Sequence, residues 1–268
     1  MITSYAPAGS GRVNLSEADA YFLPQLRIPG DRPPIVFCHS SGGSVARSYE
    51  NNLGDSPDQY ALIRSLATAT GCAIIATDLG GTNTTFGNSL GMTRITQAAT
   101  WLVNNGFAKS GKIIVMGSSM GSCNAINYAR NNPTSCAAII PFLTVPDVEY
   151  GREQNADGSV RGVIDAAWGV TYPANMPAQG NGYSSTFSTA TTGVAVGFNG
   201  LDPTSVPMRS YYVNNDMFTP LALEQEFITA WGANGSGVNL GALGHTDAAA
   251  AGVDPNDVAS WLHTNGII

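Results

Sequence analysis

At 268 residues, with 43% hydrophobic and 12% charged side chains, the chain can bury a large core and reads as one domain or one domain with an insertion. A net charge of −7 and only two lysines argue against a nucleic-acid or anionic-membrane partner, and no basic cluster breaks that balance. The apolar runs fall far short of the ~20 residues a membrane helix needs, so a soluble chain with no membrane span is expected.

The first twenty residues, MITSYAPAGSGRVNLSEADA, lack a basic start followed by a long apolar stretch; no signal peptide is visible, and the compartment stays open. Residues 18–25 read as an early strand and IVFC (35–38) as a short buried one. A helix is expected from Ser56, with Pro57 at its first position, to about Thr70, turning Leu62, Ile63 and Leu66 inward. CAIIATD (72–78) is the next buried strand, followed by a helix over 93–106 with Ile95, Ala98, Ala99 and Leu102 on one face. KIIVMG (112–117) is a strand, Met120 to Asn131 a helix, and CAAIIPF (136–142) another strand. Apolar runs alternating with helices predict an α/β fold with a predominantly parallel central sheet and helices on both faces.

That rhythm stops after Phe142. Residues 143–207 are rich in Gly, Asn, Ser, Thr and Pro, with scattered aromatics that include Tyr150, Trp168 and Tyr172. A loop of that length is expected to be functional, flexible or an insertion with its own elements. The alternation resumes with a strand over 208–216, a helix from Thr219 to Trp231, and a last strand VNLGAL (238–243). Asp254-Pro255 then opens a final helix with Val258, Trp261 and Leu262 inward, ended by Gly266. The core is thus expected over 1–142 and 208–268, with 143–207 inserted. Cys38, Cys72, Cys123 and Cys136 sit in or beside apolar segments and form no C-x-x-C pair, which suits buried free thiols; the sequence leaves a disulfide open.

The pattern G-x-S-x-G occurs twice, as GSSMG (117–121) and GNSLG (87–91). With 31 glycines and 23 serines in the chain, random placement supplies about 0.3 matches, so context must choose. A nucleophilic serine on such a turn needs a buried strand before it and a helix after it. Ser119 has IIVM before it, and behind it a helix with Gly121, Ala125 and Ala129 at four-residue spacing, small enough to lie close to a sheet. Ser89 follows the polar GTNTTF and reads as a loop serine.

A serine hydroxyl is inert without a base. Of the three histidines, His263 lies inside the last helix and His39 ends the IVFC strand; His245, in GALGHTD after the last strand, is the candidate base. A histidine base needs an acceptor. Asp216, ending SYYVNND, is the first candidate, competing with a role as a helix cap, and Asp147 is in reserve.

The order Ser119, Asp216, His245, each after a separate buried strand, resembles the α/β-hydrolase family over about 18–142 and 208–268, specifically at GSSMG, NND and GHTD. The resemblance implies an oxyanion-binding site at the backbone N–H of Met120 and at the turn after the early central strand. There CHSSGG (38–43) puts Ser41 at the second donor; Ser40 stands where glycine is usual, which leaves the register open between Ser40 and Ser41. His39 is expected to shape that loop rather than transfer protons. The implied activity is that of a serine esterase or lipase acting on a small-molecule or polymeric ester. The insertion sits where the family commonly carries a cap, and Trp168 and Tyr172 are candidates for lining a substrate pocket.

GFAKSGK (106–112) is one residue short of a phosphate-binding loop and precedes a strand, so nucleotide binding is not expected. The spacing of His and Cys indicates no metal site, and no cofactor is implied. Two rivals stay open: a peptidase or amidase with the same residues, and a hydrolase-like binding module without activity. The lysine-poor, Gly/Asn/Ser/Thr-rich composition suggests a chain used outside cells.

Overall fold

Runs that are apolar at every position make strands buried on both faces, and four of them form the centre of the sheet. The computed structural model describes residues 11–15, 18–24, 32–41, 43, 57–79, 85–108, 110–148, 150, 159–168 and 202–268. Within them the strands are β1 (Gly11–Asn14), β2 (Asp19–Leu23), β3 (Ile35–Cys38), β4 (Ile74–Thr77), β5 (Ile113–Ser118), β6 (Cys136–Phe142), β7 (Met208–Tyr212) and β8 (Gly235–Asn239). The helices are α1 (Pro57–Thr70), α2 (Ser89–Asn104), α3 (Met120–Asn131), α4 (Ser159–Trp168), α5 (Leu221–Trp231) and α6 (Pro255–Thr264).

The eight strands form one sheet in the order β1-β2-β4-β3-β5-β6-β7-β8. β1 and β2 run antiparallel, and every pairing from β4 to β8 is parallel. Side chains alternate across the sheet with a period of two. Ile35, Phe37, Ile74, Ala76, Ile114 and Met116 face a layer built by α1 and α6. Val36, Cys38, Ile75, Ile113 and Val115 face the layer of α2, α3 and α5. Both faces are covered, which is why these strands read as continuous apolar runs rather than as alternating ones.

The chain leaves β3 through α1 for β4 on one side, then crosses to β5 on the other. The carboxyl ends of β3 and β5, where Cys38 pairs Gly117, therefore flank a point where the strand order reverses, the usual place for a site in such sheets.

The structure departs from the sequence reading in several places: β7 ends at Tyr212 rather than at Asp216, and α5 starts at Leu221 rather than at Thr219. β1, GRVN, is a polar edge strand whose exposed alternate residues carry no apolar signal. β8 covers 235–239 rather than 238–243, because Gly235 and Gly237 let the strand lie against α5. A Cβ at Gly235 would stand 2.7 Å from the Trp231 Cβ, and one at Gly237 2.4 Å from Ile228 Cδ1. α2 starts at Ser89, four residues before the expected Thr93, because the Asn88 side chain caps it by accepting from the Gly91 N–H. Ser89 is thus a helix residue, not a loop one. Within 143–207, where an insertion with its own elements is one expectation, the structure has α4, and Leu143, Val145, Val148 and Ile164 from that stretch join the core. All four cysteines are free and buried. Among the described residues no helix is long and apolar enough to cross a membrane.

Candidate active site

β5 delivers the chain into a tight turn. Its last residue is Ser118, α3 begins at Met120, and Ser119 between them has φ 52° and ψ −113°. That conformation costs a non-glycine residue about 1–3 kcal/mol and persists only where neighbours impose it. Here they do. A Cβ at Gly117 would stand 2.1 Å from the Gly121 carbonyl oxygen, and one at Gly121 2.1 Å from that of Cys38, so the strand, the turn and α3 touch backbone to backbone. The Ser119 N–H donates to the Phe142 C=O at 3.0 Å, and the Ser122 N–H and Oγ donate to the Ser119 C=O at 2.8 and 2.6 Å.

His245 reaches this turn from the loop after β8, where Gly244 at φ 70° bends the chain. Its Nε2 stands 2.8 Å from Ser119 Oγ and its Nδ1 2.7 Å from Asp216 Oδ2. The His245 and Asp216 side chains are 8% and 3% exposed. Asp216 uses its other oxygen, Oδ1, to accept from the N–H groups of Phe218 (2.8 Å) and Thr219 (3.0 Å). The competing role in the sequence thus resolves: Asp216 braces the turn before α5, whose cap is Pro220, and still has an oxygen for His245. With Asp216 accepting at Nδ1–H, Nε2 is left as the acceptor for the Ser119 hydroxyl proton. The Phe218 ring packs edge-on against the imidazole, 4.5 Å between centroids. Asp147 is elsewhere occupied, accepting from the Tyr150 N–H at 2.8 Å.

The second corner follows β3. His39 is buried; its Nδ1 lies 2.7 Å from the Ser40 C=O, and its Nε2 accepts from the Leu79 N–H at 3.3 Å. An acceptor at Nε2 makes Nδ1–H the donor to Ser40, so this ring ties the loop together. Ser40 Oγ accepts from Gln59 Nε2 at 2.9 Å. Ser40, Ser41, Ser118, Ser119 and His245 share the lining of one cavity of about 290 Å³. Phe86, Leu143, Val145, Val163, Ile164 and Phe218 supply its apolar walls. The non-glycine residues with positive φ among the described residues are Phe86, Ser119 and Leu143, and all line this cavity. Backbone strain gathers where a site must be held in shape. The Met120 N–H, first in α3, has no acceptor within its own helix.

Trp168 does not join this wall. Asn88 Nδ2 donates to the Ala167 C=O and pins the end of α4 to the start of α2, which puts Trp168 in a separate hollow beside Met92 and Gln97. The cavity takes Val163 and Ile164 from α4 instead, ordinary core residues by sequence. Tyr172 lies outside the described residues. Among the described residues no group of three or more His, Cys, Asp or Glu could hold a metal ion. The Cys123 thiol, 3.8 Å from the Ser119 C=O, is pushed up to about 12 by burial, which disfavours the reactive thiolate.

Glu224 carries no signal in the sequence, one acid in LALEQEF; only the fold buries it, to 1% exposure. Burial raises its carboxyl to about 8, against a hydrogen bond with Ser210 and with help from the Asp216 charge.

No protein-family model matches the sequence, and no curated protein matches it. Solved structures do. A puromycin-hydrolysing peptidase of Mycobacterium tuberculosis matches over 90% of this chain with a TM-score of 0.63 at 15% identity; the match spans 37% of the peptidase's own length. Est1E from Butyrivibrio proteoclasticus matches over 97% of this chain and 100% of its own, with a TM-score of 0.66 at 15% identity. The esterase of the hyperthermophilic archaeon Pyrobaculum calidifontis matches over 97% of this chain and 86% of its own, with a TM-score of 0.62 at 14% identity. By strand order, by the turn after β5 and by its resemblance to these solved esterases, the chain has the α/β-hydrolase fold.

Proposed function

We propose that the chain is a serine hydrolase that cleaves carboxylic esters through an acyl-enzyme. The observation that carries this reading is the continuous hydrogen-bonded line from Ser119 Oγ through His245 to Asp216, with both links at 2.8 Å or less. Ser119 Oγ attacks the ester carbonyl and His245 Nε2 takes its proton. Asp216 holds the imidazole in the tautomer that makes Nε2 basic and steadies the imidazolium that forms. The tetrahedral oxyanion is held by the N–H of Met120 and by one from the Ser40–Ser41 turn, Ser41 in the register the resemblance implies. Each such donor is worth ~2.7–4 kcal/mol in the transition state. The imidazolium then protonates the leaving alcohol, and His245 activates the water that releases the acid. No step needs a metal or cofactor.

The walls given by Phe86, Val163, Ile164 and Phe218 suit an uncharged acyl or aryl group, on a small molecule or on a polymer that presents one. The stretch 143–207 then acts as a cap, its α4 closing one side of the acyl site. A peptidase would use the same three side chains, and matched substrates separate the readings. A p-nitrophenyl ester and the p-nitroanilide of the same acyl group are compared by kcat/KM, with Ser119→Ala as control. Ester turnover with no anilide turnover above the Ser119→Ala background supports the proposal. Equal rates, or ester cleavage that survives Ser119→Ala, overturn it.

A further inference from the structure

Behind the line from Ser119 to Asp216 lies a second buried acid that ester cleavage does not use. Glu224 sits in the first turn of α5, near enough to feel the Asp216 charge, and forms no ion pair with a lysine or arginine among the described residues. Ser210 Oγ on β7 stands 2.5 Å from Glu224 Oε1, and Thr144 Oγ1 stands 2.7 Å from Ser210 Oγ. Thr144 lies between Leu143 and Val145, both on the cavity wall. Glu224 Oε2 is buried without a hydrogen-bond partner. So is Thr219 Oγ1, whose own backbone N–H donates to Asp216.

Among the described residues neither carboxyl pairs with a lysine or arginine, and two neighbouring buried carboxyl groups without such a partner resist ionising together. Asp216 accepts two backbone N–H groups and His245 Nδ1–H, a donor set that suits an anion. Among the described residues the Glu224 carboxyl is hydrogen-bonded only to a hydroxyl, which suits a neutral acid equally well. The hydroxyl chain has no fixed direction. A protonated Glu224 donates to Ser210, which donates to Thr144; an ionised one makes both hydroxyls turn round.

We propose that Glu224 is a positioning residue of this site: as a neutral acid joined through Ser210 to Thr144 it leaves Asp216 as the sole anion behind His245, and a negative charge on it disturbs the Asp216 turn and the Leu143–Val145 wall through those two hydroxyls. The activity arm of the test rests on the esterase reading; the spectroscopic arms do not.

The first measurement needs no variant. The chain has six glutamates, so a ¹³Cδ-glutamate titration is tractable; one carboxyl ionising on the alkaline side is expected, and six ionising in the ordinary carboxylate range overturn the proposal. The second follows ¹⁵N-histidine signals in the native protein and in Glu224→Gln, which keeps the side chain's size and an oxygen for Ser210. The His245 signal is expected to show an alkaline inflection that is absent from E224Q. In parallel, native kcat on a small ester is expected to fall at least about threefold from pH 7 to about pH 9.5, whereas E224Q stays within about twofold of its own neutral value. An alkaline limb and inflection shared by both proteins, or absent from both, overturn the proposal. If neither protein cleaves esters, the esterase reading fails while the two titrations still decide the role of Glu224.

Discussion

The two G-x-S-x-G stretches differ in what surrounds their serines, although one opens α3 and the other packs against its flank. In 117–121 the glycines let β5 and α3 touch the backbone of β3, and the serine between them is forced to φ 52° beneath His245. In 87–91 the glycines fit the turn before α2 onto the flank of α3. The Gly87 N–H donates to Asn124 Oδ1 at 3.1 Å, and a Cβ at Gly91 would stand 1.9 Å from that same oxygen. Ser89 is exposed, in the first turn of α2. The glycines report close packing in both places. What distinguishes Ser119 is the buried strand behind it and the imidazole in front of it.

That contrast can be broken by substitution. The largest effect is expected from Ser119→Ala, which should lower kcat for a chromogenic ester by about four to six orders of magnitude with the circular dichroism spectrum unchanged. Asp216→Asn should follow, at about three to four orders, because an amide opposite Nδ1 favours the wrong tautomer; steady-state kinetics at neutral pH checks it. Gly121→Ala acts on the fold. Its Cβ meets a backbone carbonyl that cannot rotate away, so denaturant unfolding should show a loss of about 2–3 kcal/mol. Gly91→Ala meets the end of an asparagine side chain, which can give. The cost is then the hydrogen bonds Asn124 makes to Gly87, Thr85 and Met120, about 1–2 kcal/mol in the same measurement. The smallest effect belongs to Ser89→Ala, expected to leave ester turnover intact and stability within about 0.5 kcal/mol. Comparable losses at Ser89 and Ser119 would remove the distinction.

The legibility of the sequence followed burial. IVFC, CAIIATD, KIIVMG and CAAIIPF could be read as strands because the sheet is covered on both faces there, and the helix periods beside them stood out for the same reason. The edges were obscure: β1 is polar, and β8 is built from glycines whose role is set by Trp231 and Ile228, residues that precede it in the chain and meet it only through packing. At the site, Ser119, Asp216 and His245 could be named because each follows a strand, and the fold brings them into one hydrogen-bonded line. Trp168 was a candidate for its ring alone, and the fold turns it to another hollow. Val163, Ile164 and Glu224 gave no sign, since nothing local to an apolar pair or a helix glutamate says what it will face.

The most direct measurement is the site of covalent capture by a fluorophosphonate probe, which reacts with a serine only when a base activates it. Intact-mass and peptide mass spectrometry should find one equivalent of adduct, on Ser119, abolished in Ser119→Ala and strongly slowed in His245→Ala. No adduct on the folded native protein, or an adduct on Ser89 or another serine, would contradict the account.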